Sequence, residues 1–233
     1  LATVQALCYS EYSARELREL GFRALHSVPV LWNTERLDRK PDPKVLSTYG
    51  DDRWNILFVG RVAPNKRHED LIKVFHFYTR HLNARARLIL VGSYRGLEGY
   101  HRALLELAGK LGLENVVFAG RARLRELVAY YRAAGIFLSM SEHEGFGVPL
   151  LEAMHFGLPI VAYSACAVPF TLDGAGMLVC EKDYAEVAEL IELIRTDEAL
   201  RNRIVAGQRA RLRELVNPAN REFFWKTLEE LCA

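Results

Sequence analysis

The spacing of hydrophobic and polar positions changes repeatedly along this chain. From Asn55 onward, short runs rich in β-branched and aromatic residues alternate with longer stretches whose apolar positions recur every three or four residues. The short runs predict strands over Asn55–Val59, Ala86–Val91, Val116–Ala119, Ile136–Ser139, Pro159–Ala162 and Met177–Val179. The longer stretches predict helices over Glu69–His81, Gly99–Leu111, Leu124–Ala133, Pro149–Phe156 and Tyr184–Arg195, with turn signals such as Gly112 and Gly157 at their ends. Strand and helix in alternation specify an α/β fold, a Rossmann-like parallel sheet with helices on both faces. Ligands of such folds collect at the carboxyl ends of the strands. Gly60-Arg61, Gly92-Ser93, Gly120-Arg121 and the segment Ser141–Glu144 each follow an expected strand, so the pattern gathers them on one rim.

The ends of the chain read differently. Val4–Ser10 followed by Glu11–Gly21 reads as one strand and one helix from a preceding sheet, and no Met stands at the first position. Asp38–Lys44, with Pro41 and Pro43, reads as a polar linker. From Pro218 to Leu231, residues Phe223, Phe224, Trp225, Leu228 and Leu231 fall mostly on one helical face. The chain therefore divides into residues 1–45, a remnant of an earlier domain with its linker, 46–215, the sheet domain, and 216–233, a terminal helix. There is no internal repeat and no low-complexity tract.

Composition narrows the function classes. With 233 residues, half of them hydrophobic, the chain can bury one full α/β core. The formal charge of +2, from cations and acids interspersed, argues against nucleic acid as a partner. The longest apolar runs, such as Leu158–Ala162, fall far short of a membrane span, and no signal peptide is visible. Cys8, Cys166, Cys180 and Cys232 lack C-x-x-C spacing and stand among apolar neighbours, which reads as reduced packing residues in a cytoplasmic protein.

The chemistry concentrates in Glu144-Gly145-Phe146-Gly147-Val148-Pro149-Leu150-Leu151-Glu152. Pro149 fits the first position of a helix, so the amides of Val148, Leu150 and Leu151 are expected at an anion-attracting helix N-terminus. Gly145 and Gly147 permit close backbone approach or positive φ. Glu144 and Glu152, acceptor-only when ionised, suit pairs of neighbouring hydroxyls. A polyol carried on a phosphate, a nucleotide-sugar, fits that combination.

Two glutamates separated by GFGVPLL and followed by AMHFGLPIVA resemble the signature of family 4 retaining glycosyltransferases of the GT-B fold. Ile56-Leu57-Phe58-Val59-Gly60-Arg61 with Lys66 resembles the same family's strand and phosphate clamp, and the similarity extends over roughly residues 50 to 180. The resemblance implies the C-terminal, donor-binding half of such an enzyme. Ser27–Asn33 becomes the crossing between domains, and most of the acceptor half is expected to be absent, to be supplied by a missing N-terminal domain or a partner subunit. By resemblance Arg61 and Lys66 meet the diphosphate, Glu152 holds ribose hydroxyls, and Glu144 faces the donor sugar. Gly92 and Ser93 border the nucleotide, Gly120 and Arg121 surround its base, and Ser141 matches a serine ahead of the first glutamate. Each of these has an ordinary alternative as a turn or surface residue.

With no D-x-D in the chain, no metal or other cofactor is expected; the donor is a UDP-, GDP- or ADP-sugar and the acceptor a glycan or lipid-linked hydroxyl. Such an enzyme would work in glycan or cell-envelope polysaccharide synthesis, in the cytoplasm or at the inner membrane surface. The chain alone is expected to be inactive. Alternatives are a nucleotide-sugar-binding module without turnover, or another GT-B enzyme such as an epimerase. A glycosidase leaves Arg61 and Lys66 unexplained, and a dehydrogenase lacks its G-x-G-x-x-G. Phe170 stands where the family has a carboxylate, and Met140 where it has proline. His143 reads as a surface residue and His155 as packing. The terminal helix either packs against the missing half or covers its own sheet.

Overall fold

The computed structural model describes residues 5–232; Val4 and the side chain of Cys232 lie outside the described residues. The chain begins with β1 (Gln5–Cys8), α1 (Glu11–Glu19) and β2 (Ala24–Ser27), a small parallel pair with its helix. Ser10 caps α1 in a reciprocal box with Ser13. There follow α2 (Pro43–Tyr49), β3 (Asn55–Val59), α3 (His68–His81), β4 (Arg87–Val91), α4 (Glu98–Lys110), β5 (Val116–Gly120), α5 (Leu124–Ala133) and β6 (Ile136–Ser139). The last part holds α6 (Val148–His155), β7 (Ile160–Tyr163), α7 (Val168–Leu172), β8 (Met177–Val179), α8 (Tyr184–Thr196), α9 (Glu198–Leu215) and α10 (Pro218–Cys232).

Six strands form one all-parallel sheet in the order β5-β4-β3-β6-β7-β8. Every residue of β4 is buried, as expected of a strand covered on both faces. On one side α3 packs on α4 and α8; on the other α2 packs on α5 and α6 on α9. Tyr131 of α5 stacks on Phe156 after α6, with ring centroids 5.1 Å apart. The strand order reverses between β3 and β6, where Ile56 pairs with Ile136 and Leu57 with Phe137. This switch point opens a crevice beyond the carboxyl ends of both strands.

Several expectations are corrected. The Asp38–Lys44 linker is partly a helix start: Asp42 accepts the amides of Lys44 and Val45, and Pro43 lies in the first turn of α2, where its missing N–H costs nothing. The polar composition disguised a capping sequence. The 18-residue α9 was not anticipated, because its buried line is narrow, Ile204, Gln208 and Leu212, amid many charges. Gln208 ties it to the sheet, donating to Leu158 O at 2.6 Å and accepting from Ile160 N at 3.0 Å. Cys8 is buried, but Cys166 is only half-buried and Cys180 is exposed, since both stand in loops at strand ends rather than inside the layers. In α10, Phe223 and Trp225 are 55% and 52% exposed, so these two aromatic rings do not cover the sheet. Among the described residues no helix is long and apolar enough to cross a membrane.

Candidate functional site

The ends of β3, β4 and β5 are stitched together through glycines. Gly60 N donates to Val91 O at 2.9 Å, and Gly92 N donates to Gly120 O at 2.8 Å. Gly92 packs so closely that a Cβ there would lie 1.7 Å from Gly60 O. Only glycine allows that approach. The loop beyond β3 therefore lies on the start of the β4–α4 loop, with Val62 N bonded to Ser93 O at 3.0 Å. Arg61 is exposed on the rim, its guanidinium donating to Arg95 O at 3.4 Å. Arg121 is exposed after β5.

Lys66 closes a 3-10 turn, Pro64–Lys66, and reaches across the switch point. Its Nζ lies 2.7 Å from Glu144 Oε1 and donates to His143 O at 2.8 Å. The Glu142 amide bonds Asn65 O at 3.0 Å, so backbone as well as side chains join the two loops. Beneath the turn, burial pushes His68 down to about 4, which keeps that imidazole neutral beside Lys66.

The helix start differs from expectation by one residue. Gly147, at φ +79°, caps α6, and Val148 rather than Pro149 is its first residue. The Leu150 amide is committed to Gly147 O at 2.8 Å and its side chain is buried, so Leu150 offers a ligand little. Val148 is partly exposed at the same end. Gly145 is exposed beside the Tyr9 hydroxyl. Phe146 turns inward, packing edge-on against Tyr9 at 5.9 Å while its carbonyl accepts from Thr171 Oγ1 at 2.6 Å. Ser141 is buried and bonded to Ser139 Oγ at 3.3 Å, which takes its hydroxyl out of the rim. His143 is exposed, and His155 is half-buried with Nε2 3.3 Å from Asp38, a polar contact where packing was expected.

Glu152 is 4% exposed, and both its oxygens are occupied. Arg36 pairs with Oε1, and the buried Tyr131 hydroxyl donates to Oε2 at 2.9 Å. Burial raises the Glu152 carboxyl above its ordinary value, against the opposing pull of Tyr131 and Arg36. As pH rises through that raised value the fold must hold a buried charge, so this group costs stability at high pH and not at low pH. Removing Arg36 worsens that cost only where the carboxyl is ionised. Arg36→Met is therefore expected to lose about 1–2 kcal/mol more at about pH 8 than at about pH 4, a figure reduced for the half-exposed guanidinium. Urea titrations at both pH values check it; equal losses reject the pairing. Neither Arg36 nor Tyr131 was visible from sequence, because no local spacing connects positions 36 and 131 to 152.

Lys66 and Glu144 thus meet across the switch point, Arg61 is exposed next to the glycine-stitched strand ends, and Gly147 opens α6, while Leu150, Ser141 and the Phe146 ring are engaged within the fold. Residues 42–211 match the family described as Glycosyl transferases group 1. The chain belongs to this glycosyltransferase family. It is 35% identical over 160 residues to a D-inositol 3-phosphate glycosyltransferase of Frankia alni, covering 65% of this chain and 39% of that protein. It is 29% identical over 143 residues to the O-antigen chain mannosyltransferase B of Escherichia coli, covering 60% of this chain and 37% of that one. The chain spans about two fifths of the length of these curated relatives. Among solved structures, Anabaena HepE in complex with UDP and glucose superposes with a TM-score of 0.84 at 21% identity, over 97% of this chain and 63% of that one. Sucrose-phosphate synthase of Thermosynechococcus elongatus gives 0.81 at 24%, over 97% and 57%. This glycosyltransferase chain has the Rossmann-like C-terminal architecture of a GT-B fold.

Proposed function

We propose that this chain is the donor-binding portion of a retaining glycosyltransferase that moves a hexose from a nucleoside-diphosphate sugar to a hydroxyl acceptor. The observation that carries the reading is the 2.7 Å approach of Lys66 to Glu144 across the switch point, with Arg61 exposed just beyond the end of β3. A diphosphate leaving group gains charge as the glycosidic bond breaks, and cations placed in advance stabilise that change selectively. Arg61 offers a planar fork and Lys66 a point charge. In this reading Lys66, held on His143 O and Glu144, meets the diphosphate, while Glu144 faces the donor sugar and stabilises an oxocarbenium-like centre. Ribose hydroxyls replace Arg36 on Glu152 Oε1 while Tyr131 keeps Oε2. The structurally similar HepE, solved in complex with UDP and glucose, supports a nucleotide-sugar donor, and the curated relatives support glycan or inositol acceptors.

Calorimetric titration of the chain with UDP-, GDP- and ADP-sugars and the free diphosphates tests this. Saturable one-to-one binding of one nucleotide class is expected, and no heat with any of them removes the proposal.

A further inference from the structure

Behind Lys66 lies a second set of charges that the donor-binding reading does not use. Lys182, in the loop after β8, places Nζ 2.8 Å from Asp70 Oδ2 and 2.7 Å from Glu142 Oε1. The same ammonium stands 4.6 Å from the centre of the Tyr163 ring at the end of β7. Asp70, fully buried in the first turn of α3, also accepts from Arg67 Nε at 3.0 Å and from the Tyr184 hydroxyl at 2.9 Å. Burial alone would raise the Asp70 carboxyl, but the bonds from Lys182, Arg67 and Tyr184 outweigh it and hold it low, so it stays ionised. Arg67 directly follows the Lys66 turn at φ +52°, a conformation uncommon for a side chain of this size, and its Nε is 3.4 Å from Glu142.

Glu142 links this cluster to the nucleotide site. Its carboxylate is gripped from behind by Lys182, its amide is bonded to Asn65 O, and the next two residues supply both partners of Lys66. We propose that Lys182 is a positioning residue: anchored on Asp70, it fixes Glu142 and thereby the His143–Glu144 segment on which Lys66 is aligned for a nucleoside diphosphate. This rests on the donor-binding reading above. The physical benefit is preorganisation. A lysine side chain ordered before the ligand arrives does not charge its rotamer entropy to binding.

A Coulomb role for the cluster makes the opposite forecast for one variant, which makes the proposal testable. Glu142→Gln deletes a negative charge near the anion, so long-range electrostatics alone would strengthen diphosphate binding; loss of positioning weakens it. Titration of the 233-residue chain with UDP, GDP and ADP is expected to show Kd raised roughly 3- to 10-fold by Glu142→Gln and by Lys182→Met. Lys182→Arg should recover most of that loss, and in a Lys66→Ala background Glu142→Gln should change nothing further. Glu142 is half-exposed, so its variant tests the idea even if Lys182→Met leaves Asp70 too poorly paired to fold. Unchanged or tighter binding by Glu142→Gln, with the unaltered chain binding normally, overturns this proposal and leaves the donor site standing. Absence of binding by the unaltered chain overturns both.

Discussion

Lys66→Ala is expected to weaken binding of a nucleoside diphosphate by roughly 30- to 1,000-fold, the 2–4 kcal/mol typical of removing one member of a desolvated charge pair. Two losses act in the same direction. The phosphate loses its point charge, and Glu144, now without the ammonium 2.7 Å away, adds uncompensated negative charge beside the anion. Since the side chain lies at the mouth of the crevice and leaves no hole in the sheet, thermal unfolding should shift little. Calorimetry on the variant measures the first effect and a melting curve the second. A Kd within threefold of the unaltered chain would remove Lys66 from the site.

Gly92→Ala should be the most destabilising single-methyl change near the site. The added carbon would stand 1.7 Å from Gly60 O, 2.6 Å from Gly60 C and 3.3 Å from Arg61 Cα, all backbone atoms unable to rotate away. The ends of β3 and β4 must separate, breaking the Gly60 N to Val91 O bond and carrying Arg61 outward. Overpacking in a core usually costs 1–3 kcal/mol. With backbone on both sides, about 3–4 kcal/mol is expected, a fall in Tm of roughly 6–15 °C for a domain of this size. Nucleotide affinity should fall as well, because the phosphate loop moves. A melting temperature within two or so degrees of the parent would show that the strand ends adapt more easily than this geometry allows.

The rim residues divide according to how local their signals are. Gly60-Arg61 and Gly120-Arg121 were legible because a glycine and a cation directly follow an apolar run. Their rim location is a property of neighbouring residues in the chain. The turn Glu144–Gly147 was equally plain, and the structure moves the start of α6 by only one residue. Ser141 and Leu150 read as site residues from spacing, yet the fold uses the first to bond Ser139 and the amide of the second to close a helical turn. Small polar groups and first-turn amides serve structure or ligand with the same sequence signature.

The sequence by itself determined the alternation of strands and helices, their order along the chain, and which loops hold glycines, cations and carboxylates, because periodicity and turn chemistry are written in neighbouring residues. Only the tertiary structure decided that β6 lies beside β3, which brings Lys66 to Glu144 across 78 positions, and that Glu152 is held by Arg36 and Tyr131. It also decided that Lys182 stands between Asp70 and Glu142. Strand neighbours and the partners that neutralise a buried charge are set by contacts between distant segments, competing through burial and hydrogen bonding, and no local pattern records the outcome.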